Sequence, residues 1–321
     1  MHYRRLGRSG LKVSEISLGA WVTFGDQIPE DLASKLLHSA YEAGINYFDN
    51  ADSYANGQAE IVMGEAIKDL PREALVISSK VFAQTMPGPN GRGLSRKHIT
   101  ESVHASLKRL GTEYLDIYFC HRFDPDAPID EVVYTMDTLI RQGKILYWGT
   151  SEWRGFQIAT AIKTAEQNHL APPVVEQPQY NMFHRHRVES DLAPVCKEFG
   201  IGLTTFSPLY YGILTGKYAD GIPEDSRADI ESYAWLRERI TPERLTVVQL
   251  LSAVARDLGL TTAQLAIAWL LRRREVSSVI TGATKVEQLQ ENLLAGDAAS
   301  TLTDDVLERI EQILGNYPDK E

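Results

Sequence analysis

Four side chains within the first 121 residues have the types and spacing needed for proton transfer: Asp49, Tyr54, Lys80 and His121. Asp49 ends a short β-prone run, and Tyr54 follows it by five residues. Lys80 ends the next β-prone run, and His121 directly follows the one after that. The carboxyl ends of neighbouring strands in a parallel barrel meet at its mouth, where barrel enzymes place their chemistry. If these runs are such strands, we expect the four side chains to converge there.

The chemistry of this group would centre on the phenol. A lysine that ends an otherwise apolar strand needs a partner, and Asp49 is the nearest predicted one. An ammonium beside a phenol favours the phenolate, so Lys80 is expected to lower the pKa of Tyr54 from about 10. Tyr54 could then protonate a developing alkoxide near neutral pH, while His121 orients a carbonyl or relays the proton. A simpler interpretation is an Asx turn with a half-buried tyrosine, beside a lysine and aspartate that only neutralise each other. The presence of all four side chains favours the catalytic interpretation.

Signatures of phosphate loops and metal sites are weak in this chain. No G-x-G-x-x-G follows a strand, the stretch 88–93 fails its spacing, and no Walker A motif occurs. His184 and His186 stand in an arginine-rich stretch without nearby acid or thiol partners, which is typical of a solvated loop. The aspartates of stretch 124–130 resemble the start of a calcium loop but lack its glycine and its terminal glutamate. We therefore predict no metal site.

Composition and charge limit the classes of function. With 321 residues, 43% of them hydrophobic, the chain can bury a large core, and we expect one domain over residues 1–321. A net charge of −10 without a basic tail disfavours nucleic acid as a partner. No apolar window reaches the roughly 18 residues of a membrane span, so no membrane insertion is expected. Two cysteines and the lack of a signal-like N-terminus predict a reducing, cytoplasmic setting.

The hydrophobic pattern alternates between strands and helices. Short β-prone runs at 3–6 and 11–13 predict an N-terminal hairpin. Strands are predicted at 15–18, 47–48, 75–80, 115–120, 145–149, 174–177, 202–206 and 278–280. Helices are predicted at 29–43, 59–68, 95–110, 129–142, 154–168, 188–199, 243–258, 262–273, 285–294 and 303–317. The segment 209–242 is too long for an ordinary connection, which suggests a functional loop.

This alternation indicates an α/β fold, either a closed barrel or a doubly wound sheet. The count of eight strands favours a single (β/α)8 TIM barrel. Its additions would be the N-terminal β-hairpin, the long loop after strand 7 and an extra C-terminal helix.

From the hairpin to the final helix, the sequence resembles the aldo-keto reductases. The Asp, Tyr, Lys and His tetrad of that family falls on the four residues named above, in the family's order and approximate spacing. The stretches Leu18-Gly-Ala-Trp21, Gly149-Thr-Ser151-Glu-Trp153 and Phe206-Ser-Pro-Leu209 are also similar to family motifs. The resemblance implies that a nicotinamide cofactor contacts Gly19, Ala20, Trp21, Asp49, Ser151, Gln177, Phe206, Ser207, Pro208 and Leu209. Ser151 and Gln177 would hold its carboxamide, and Phe206 would stack on its ring. The substrate pocket would be walled by Trp21, Tyr54, His121, Tyr210 and Tyr211.

Within the family, the sequence is most similar to the β subunits of voltage-gated potassium channels and their bacterial relatives. The stretches that carry this likeness are 19–25, 212–218, 226–228 and 282–292. It implies that the 2′-phosphate of an adenosine is surrounded by Lys217, Arg227, Thr284 and Gln288, with Gly282 beside them and with Glu291 and Asn292 on the adenine. Lysine and arginine suit a phosphate dianion, so NADP(H) is the expected cofactor. The chain carries His121 where the channel subunits carry Asn and lacks their long N-terminal extension, and both differences favour an enzyme.

Three functions remain open at this point. The first is NADPH-dependent reduction of a small aldehyde or ketone, with hydride from nicotinamide C4 and a proton from Tyr54. The second is a redox-sensing regulatory subunit that binds NADP(H) and a protein partner such as a channel. The third is a Schiff-base lyase that uses Lys80 as its nucleophile. The oligomeric state is open, and the likeness to channel subunits allows a homo-oligomer such as a tetramer.

Overall fold

Eight parallel strands close into a barrel in which the strands follow one another in chain order. The computed structural model describes residues 1–224 and 226–316. The barrel strands are β3 (Ile16–Gly19), β4 (Tyr47–Asp49), β5 (Val76–Val81), β6 (Leu115–Cys120), β7 (Ile145–Ser151), β8 (Val175–Gln177), β9 (Gly202–Thr205) and β10 (Val276–Thr281). β10 pairs with both β9 and β3, which closes the barrel. The prediction of a (β/α)8 barrel is thereby confirmed.

The N-terminal hairpin closes the bottom of the barrel. It pairs β1 (Tyr3–Arg5) with β2 (Lys12–Ser14), as predicted. Leu6 and Val13 are fully buried and belong to the same apolar cluster as Tyr47, Phe119 and Ile280 of the barrel strands. The apolar interior at this end leaves the other end, where the strands finish, for polar side chains.

Helices surround the barrel and connect its strands. They are α1 (Glu30–Glu42), α2 (Gln58–Ile67), α3 (Arg96–Leu110), α4 (Ile129–Arg141), α5 (Gly155–Gln167), α6 (Ala193–Phe199), α7 (Pro242–Asp257), α8 (Thr262–Leu271), α9 (Val286–Leu293), α10 (Ala295–Ala298) and α11 (Asp304–Leu314). The predicted helix 188–199 is divided, because a π-helical turn at Arg187–Leu192 precedes α6. Local sequence signals explain both ends of α3. Ser95 caps its N-terminus by accepting from the His98 amide at 3.2 Å, and Gly111 ends the helix in a left-handed conformation.

The long segment after β9 contains two short 3₁₀ helices, Tyr210–Thr215 and Glu231–Arg239, and ends where α7 begins. This agrees with the prediction of a loop that has some helix of its own. The extra C-terminal helix is α11, and Tyr317, where it was predicted to end, lies outside the described residues. None of the helices in the described part of the chain combines the length and the apolar character that crossing a membrane requires.

Candidate active site

A buried ion pair lies at the carboxyl ends of β4 and β5. The Nζ atom of Lys80 is 2.6 Å from Oδ2 of Asp49, and both side chains are almost completely inaccessible to solvent. Lys80 Nζ also donates to the backbone oxygen of Asn50 at 2.6 Å and to the hydroxyl of Tyr54 at 3.1 Å. Three acceptors therefore use the three donors of the ammonium group. The pairing that the sequence predicted between Asp49 and Lys80 is present.

The second oxygen of Asp49 has its own donors. Its Oδ1 accepts from Ser78 Oγ at 2.7 Å and from Gln177 Nε2 at 2.9 Å. Ser78 and Lys80 lie two residues apart on β5, so both side chains point to the same face of the strand. With both oxygens partnered, the Asp49 side chain is held in place beside the ammonium.

Tyr54 stands on the loop just beyond β4, half-buried at the mouth of the barrel. Ala55, Asn56 and Gly57 then adopt φ values of 48°, 55° and 88°, and these left-handed residues turn the chain sharply into α2. The Lys80 Nζ atom lies 4.8 Å from the centre of the Tyr54 ring. The His121 ring lies 5.9 Å from that ring, edge to face. The four predicted catalytic side chains thus converge on one point, with the Tyr54 hydroxyl in contact with the cation.

Burial changes the protonation of this group from what the sequence suggested. Desolvation raises the pKa of Tyr54 above its ordinary 10.0, although the positive charge of Lys80 acts in the opposite direction. The predicted fall in the Tyr54 pKa is therefore wrong in direction, since it counted the cation without the burial. Burial lowers the pKa of Lys80, but Asp49 and Tyr54 outweigh that effect and raise it above 10.5. Burial, followed by the charges of Lys80 and Arg122, lowers the pKa of His121 well below 6.5. At neutral pH the site therefore holds a phenol, an ammonium and a neutral imidazole.

The group opens into a cavity of about 970 Å³. Most of the residues predicted to contact cofactor or substrate line it: Gly19, Trp21, Asp49, Tyr54, His121, Ser151, Gln177, Phe206, Ser207, Pro208, Leu209, Tyr211, Lys217, Arg227, Gly282, Thr284, Gln288, Glu291 and Asn292. Lys80 lies behind the wall and reaches it through Asp49 and Tyr54. One cavity therefore joins the ion pair to the segments that the sequence assigned to an adenosine phosphate.

The structure does not place two predicted residues in the cavity wall. Ala20 is fully buried, and its amide donates to the backbone oxygen of Asp49 at 2.9 Å. Tyr210 is also buried, with its ring packed edge to face against Phe183 at 5.5 Å. Its hydroxyl accepts from Arg239 Nη1 at 3.2 Å. Tyr210 thus supports the long loop, and Tyr211 is the tyrosine that faces the cavity.

Aromatic and amide groups line the cavity next to the ion pair. The Trp21 ring lies 6.4 Å from the Phe206 ring and 6.2 Å from the Tyr211 ring, both in edge-to-face geometry. Ser151 Oγ donates to the backbone oxygen of Gln177 at 2.9 Å. These residues give the cavity an aromatic wall together with fixed amide and hydroxyl groups, which suits a planar ring carrying a carboxamide.

Two cations meet at another part of the cavity. Burial lowers the pKa of Arg227, and burial together with the charge of Arg227 lowers the pKa of Lys217. The Nε atom of Arg227 is buried without a hydrogen-bond partner. Within residues 1–224 and 226–316, neither cation pairs with a carboxylate. Two converging cations with a free buried donor fit a phosphate group, so the residues present fit a phosphorylated dinucleotide.

The neighbouring Gln288 is held in place by Thr284. Its Oε1 accepts from the Thr284 amide at 2.9 Å and from the Thr284 hydroxyl at 3.2 Å. The Nε2 group of Gln288 is then the part that can donate to an anion.

Several residues at or near the site were not among those predicted from the sequence. Ser78 could have been found, because strand alternation places it on the face of Lys80. Arg122 lines the cavity and directly follows His121, so its position in the chain was the available signal. Tyr233 donates to Asp26 Oδ2 at 3.1 Å and ties the long loop to the loop after β3. That contact joins residues 207 positions apart, and no sequence pattern indicates it.

Comparisons with known proteins agree on one family. The sequence model described as "Aldo/keto reductase family" matches residues 15–315. A probable voltage-gated potassium channel subunit beta of Arabidopsis thaliana is 51% identical over 322 residues, covering 99% of this chain and 98% of the relative. A protein of the same name from Oryza sativa subsp. japonica is 49% identical with the same coverage.

Proposed function

This chain belongs to the aldo/keto reductase family, whose members are generally NAD(P)-dependent oxidoreductases, and we propose that it reduces an aldehyde or ketone to the alcohol with NADPH. The observation that carries the proposal is the contact of Tyr54 with the buried ion pair. Lys80 Nζ lies 3.1 Å from the Tyr54 hydroxyl and 2.6 Å from Asp49, at the wall of a cavity of about 970 Å³.

The residues of the chain manage the proton in this reaction. When bound, the reduced nicotinamide supplies a hydride from C4 to the carbonyl carbon. Tyr54 donates its phenolic proton to the carbonyl oxygen, and its raised pKa keeps that proton available at neutral pH. Lys80 stabilises the phenolate left behind, while Asp49 keeps Lys80 charged. His121 is neutral, so its ring N–H can orient the carbonyl oxygen without competing as an acid.

The cofactor would be held along the whole cavity. Ser151 and Gln177 would hold the carboxamide, and Phe206 would cover one face of the nicotinamide. Lys217 and Arg227 would bind the 2′-phosphate, which favours NADPH over NADH. Further contacts to this end would come from Gly282, Thr284, Gln288, Glu291 and Asn292.

The Schiff-base alternative has less support. A lysine nucleophile needs a neutral amine with a free lone pair. The Lys80 ammonium donates to three acceptors, and its pKa is raised by Asp49 and Tyr54. Tyr54 is therefore the better candidate for the group that acts on substrate.

A regulatory role is the second candidate. It is supported by identities of 51% and 49%, over nearly the full length, with two proteins named as probable potassium channel β subunits. Such a role would use the same cofactor cavity, with a channel as protein partner. Co-purification with the cytoplasmic part of a voltage-gated potassium channel tests it, and light scattering tests the tetramer.

The proposed reaction is tested with a panel of aldehydes and ketones, by following the oxidation of NADPH. Tyr54→Phe should lower kcat by about two to four orders of magnitude, the usual contribution of a general acid. NADPH affinity should stay near that of the wild type, because the change removes only a hydroxyl. Turnover by the phenylalanine variant at the wild-type rate would remove Tyr54 from the mechanism.

A further inference from the structure

Arg122 is a cation at the mouth of the active site that the proposed reaction does not use. It directly follows His121 at the end of β6 and lines the same cavity as Tyr54. Its Nη1 donates to the backbone oxygen of His121 at 2.5 Å, which holds the guanidinium beside the catalytic group. The positive charge of Arg122 contributes to lowering the pKa of His121 and opposes the rise in that of Tyr54, so it acts on both reacting side chains.

The guanidinium has most of its donors available. Over the described ranges, 1–224 and 226–316, its one hydrogen bond is to His121, and no carboxylate pairs with it. Asp26, an acid that lines the same cavity, accepts instead from Tyr233 at 3.1 Å. The side chain is exposed, so a ligand could reach it through the cavity mouth.

Three other cations near the cavity, Lys80, Lys217 and Arg227, already have a role in the proposed reaction. Asp49 neutralises Lys80, and the pair formed by Lys217 and Arg227 lies at the part assigned to phosphate. The wall formed by Trp21 and Tyr211 is aromatic and uncharged. A free cation in a cavity with such a wall favours substrates that carry a negative charge.

We propose that Arg122 selects carbonyl substrates that also carry a carboxylate, an inference that rests on the proposed reductase function. One guanidinium balances one negative charge, whereas a phosphate dianion is better met by two cations. With Nη1 bonded to His121, the remaining N–H groups still form a planar edge that matches two carboxylate oxygens.

The reaction then converts an oxo acid to a hydroxy acid. The hydride from the nicotinamide forms the new C–H bond at the carbonyl carbon. The electron pair of the carbonyl π bond takes the Tyr54 proton at oxygen, and solvent returns a proton to Tyr54. The nicotinamide is oxidised, the carbonyl is reduced, and the carboxylate stays unchanged as a handle for Arg122.

The test compares acids with their uncharged methyl esters. The substrates are 4-oxobutanoate and 4-carboxybenzaldehyde, which differ in the distance from aldehyde to carboxylate, and the methyl ester of each. The wild type should show kcat/KM about ten- to a hundredfold higher for at least one acid than for its ester, the usual effect of a charge-assisted hydrogen bond. In Arg122→Met, the ratio of kcat/KM for the acid to kcat/KM for its ester should fall to about one. In Arg122→Lys, the ratio should lie between that value and the wild-type value.

Arg274→Met is the matched control. Arg274 is exposed and precedes β10 at the opposite end of the barrel, so its loss should leave the ratio at the wild-type value. The ratio is the decisive quantity, because a general loss of structure lowers the rates of acid and ester together.

Two failures are distinguishable. Equal kcat/KM for acids and esters in the wild type, or an acid preference that survives in Arg122→Met, overturns the selectivity while the reductase function stands. Failure to reduce any of the four compounds or any member of the wider carbonyl panel overturns the reductase function, and the inference with it.

Discussion

Replacing Lys80 with methionine tests how the buried ion pair controls proton donation. The change removes an ammonium that lies 3.1 Å from the Tyr54 hydroxyl and 2.6 Å from Asp49. An opposite charge at such a distance shifts a pKa by about 1 to 3 pH units, so its loss should raise the Tyr54 pKa further by about that amount. Tyr54 acts in its protonated form, and the basic limb of the pH profile of kcat/KM should therefore move to higher pH. A weaker acid also donates less readily, and kcat should fall by about one to three orders of magnitude.

The same variant has a cost in stability. Removing one member of a buried pair leaves an uncompensated charge, which costs about 3 to 5 kcal/mol. Asp49 keeps Ser78 and Gln177 as donors, so we expect the lower end of that range. The double variant Asp49→Asn, Lys80→Met leaves no buried charge and should recover part of the loss.

The assay follows NADPH oxidation with a neutral aldehyde from neutral to strongly alkaline pH. Circular dichroism and cofactor titration check that Lys80→Met is folded and binds NADPH. A basic limb at the wild-type position in the folded variant would refute the coupling between Lys80 and Tyr54.

Two further predictions concern the cofactor and the core. Arg227→Ala should weaken NADPH binding about ten- to a hundredfold with little effect on NADH, because one charge-assisted phosphate contact is worth about 1.5 to 3 kcal/mol. Fluorescence titration with both cofactors measures the two affinities. Equal losses of affinity for NADPH and NADH would mean that Arg227 only supports its loop. Burial raises the pKa of Glu176 from its ordinary 4.5 to about 8. Between these pH values the folded chain holds a proton on Glu176 that the unfolded chain releases. The free energy of unfolding should therefore fall as the pH rises through this range. Glu176→Gln should therefore stabilise the protein more near pH 8 than near pH 4.5, whereas denaturant midpoints shifted equally at both pH values would contradict this.

The strand ends explain why much of the site could be predicted from the sequence. Asp49, Lys80 and His121 each stand where an apolar run stops, and parallel strands bring such positions together. The chain order of the strands and the predicted hairpin followed from the same pattern.

Protonation states and loop geometry could not be predicted from the positions of strand ends. The direction of the Tyr54 pKa shift depends on how deeply the folded chain buries the phenol, and the spacing of Asp49 and Tyr54 does not report that burial. Tyr210 and Tyr211 are adjacent in sequence, yet only Tyr211 faces the cavity. Both have positive φ, 45° and 60°, a backbone conformation that sequence patterns do not predict for tyrosine. The contact of Tyr233 with Asp26 likewise depends on how the long loop folds back.

Transfer of deuterium from NADPH labelled at C4 is the most direct test of hydride transfer to the carbonyl carbon. A carbonyl compound that the protein turns over is incubated with each of the two C4-deuterated forms of NADPH, and the alcohol is analysed by mass spectrometry. Hydride transfer at a fixed face of the nicotinamide predicts one deuterium on the former carbonyl carbon from one of the two forms and none from the other. An alcohol without deuterium from either form would contradict it, as would NADPH binding without reduction of any carbonyl compound in the panel.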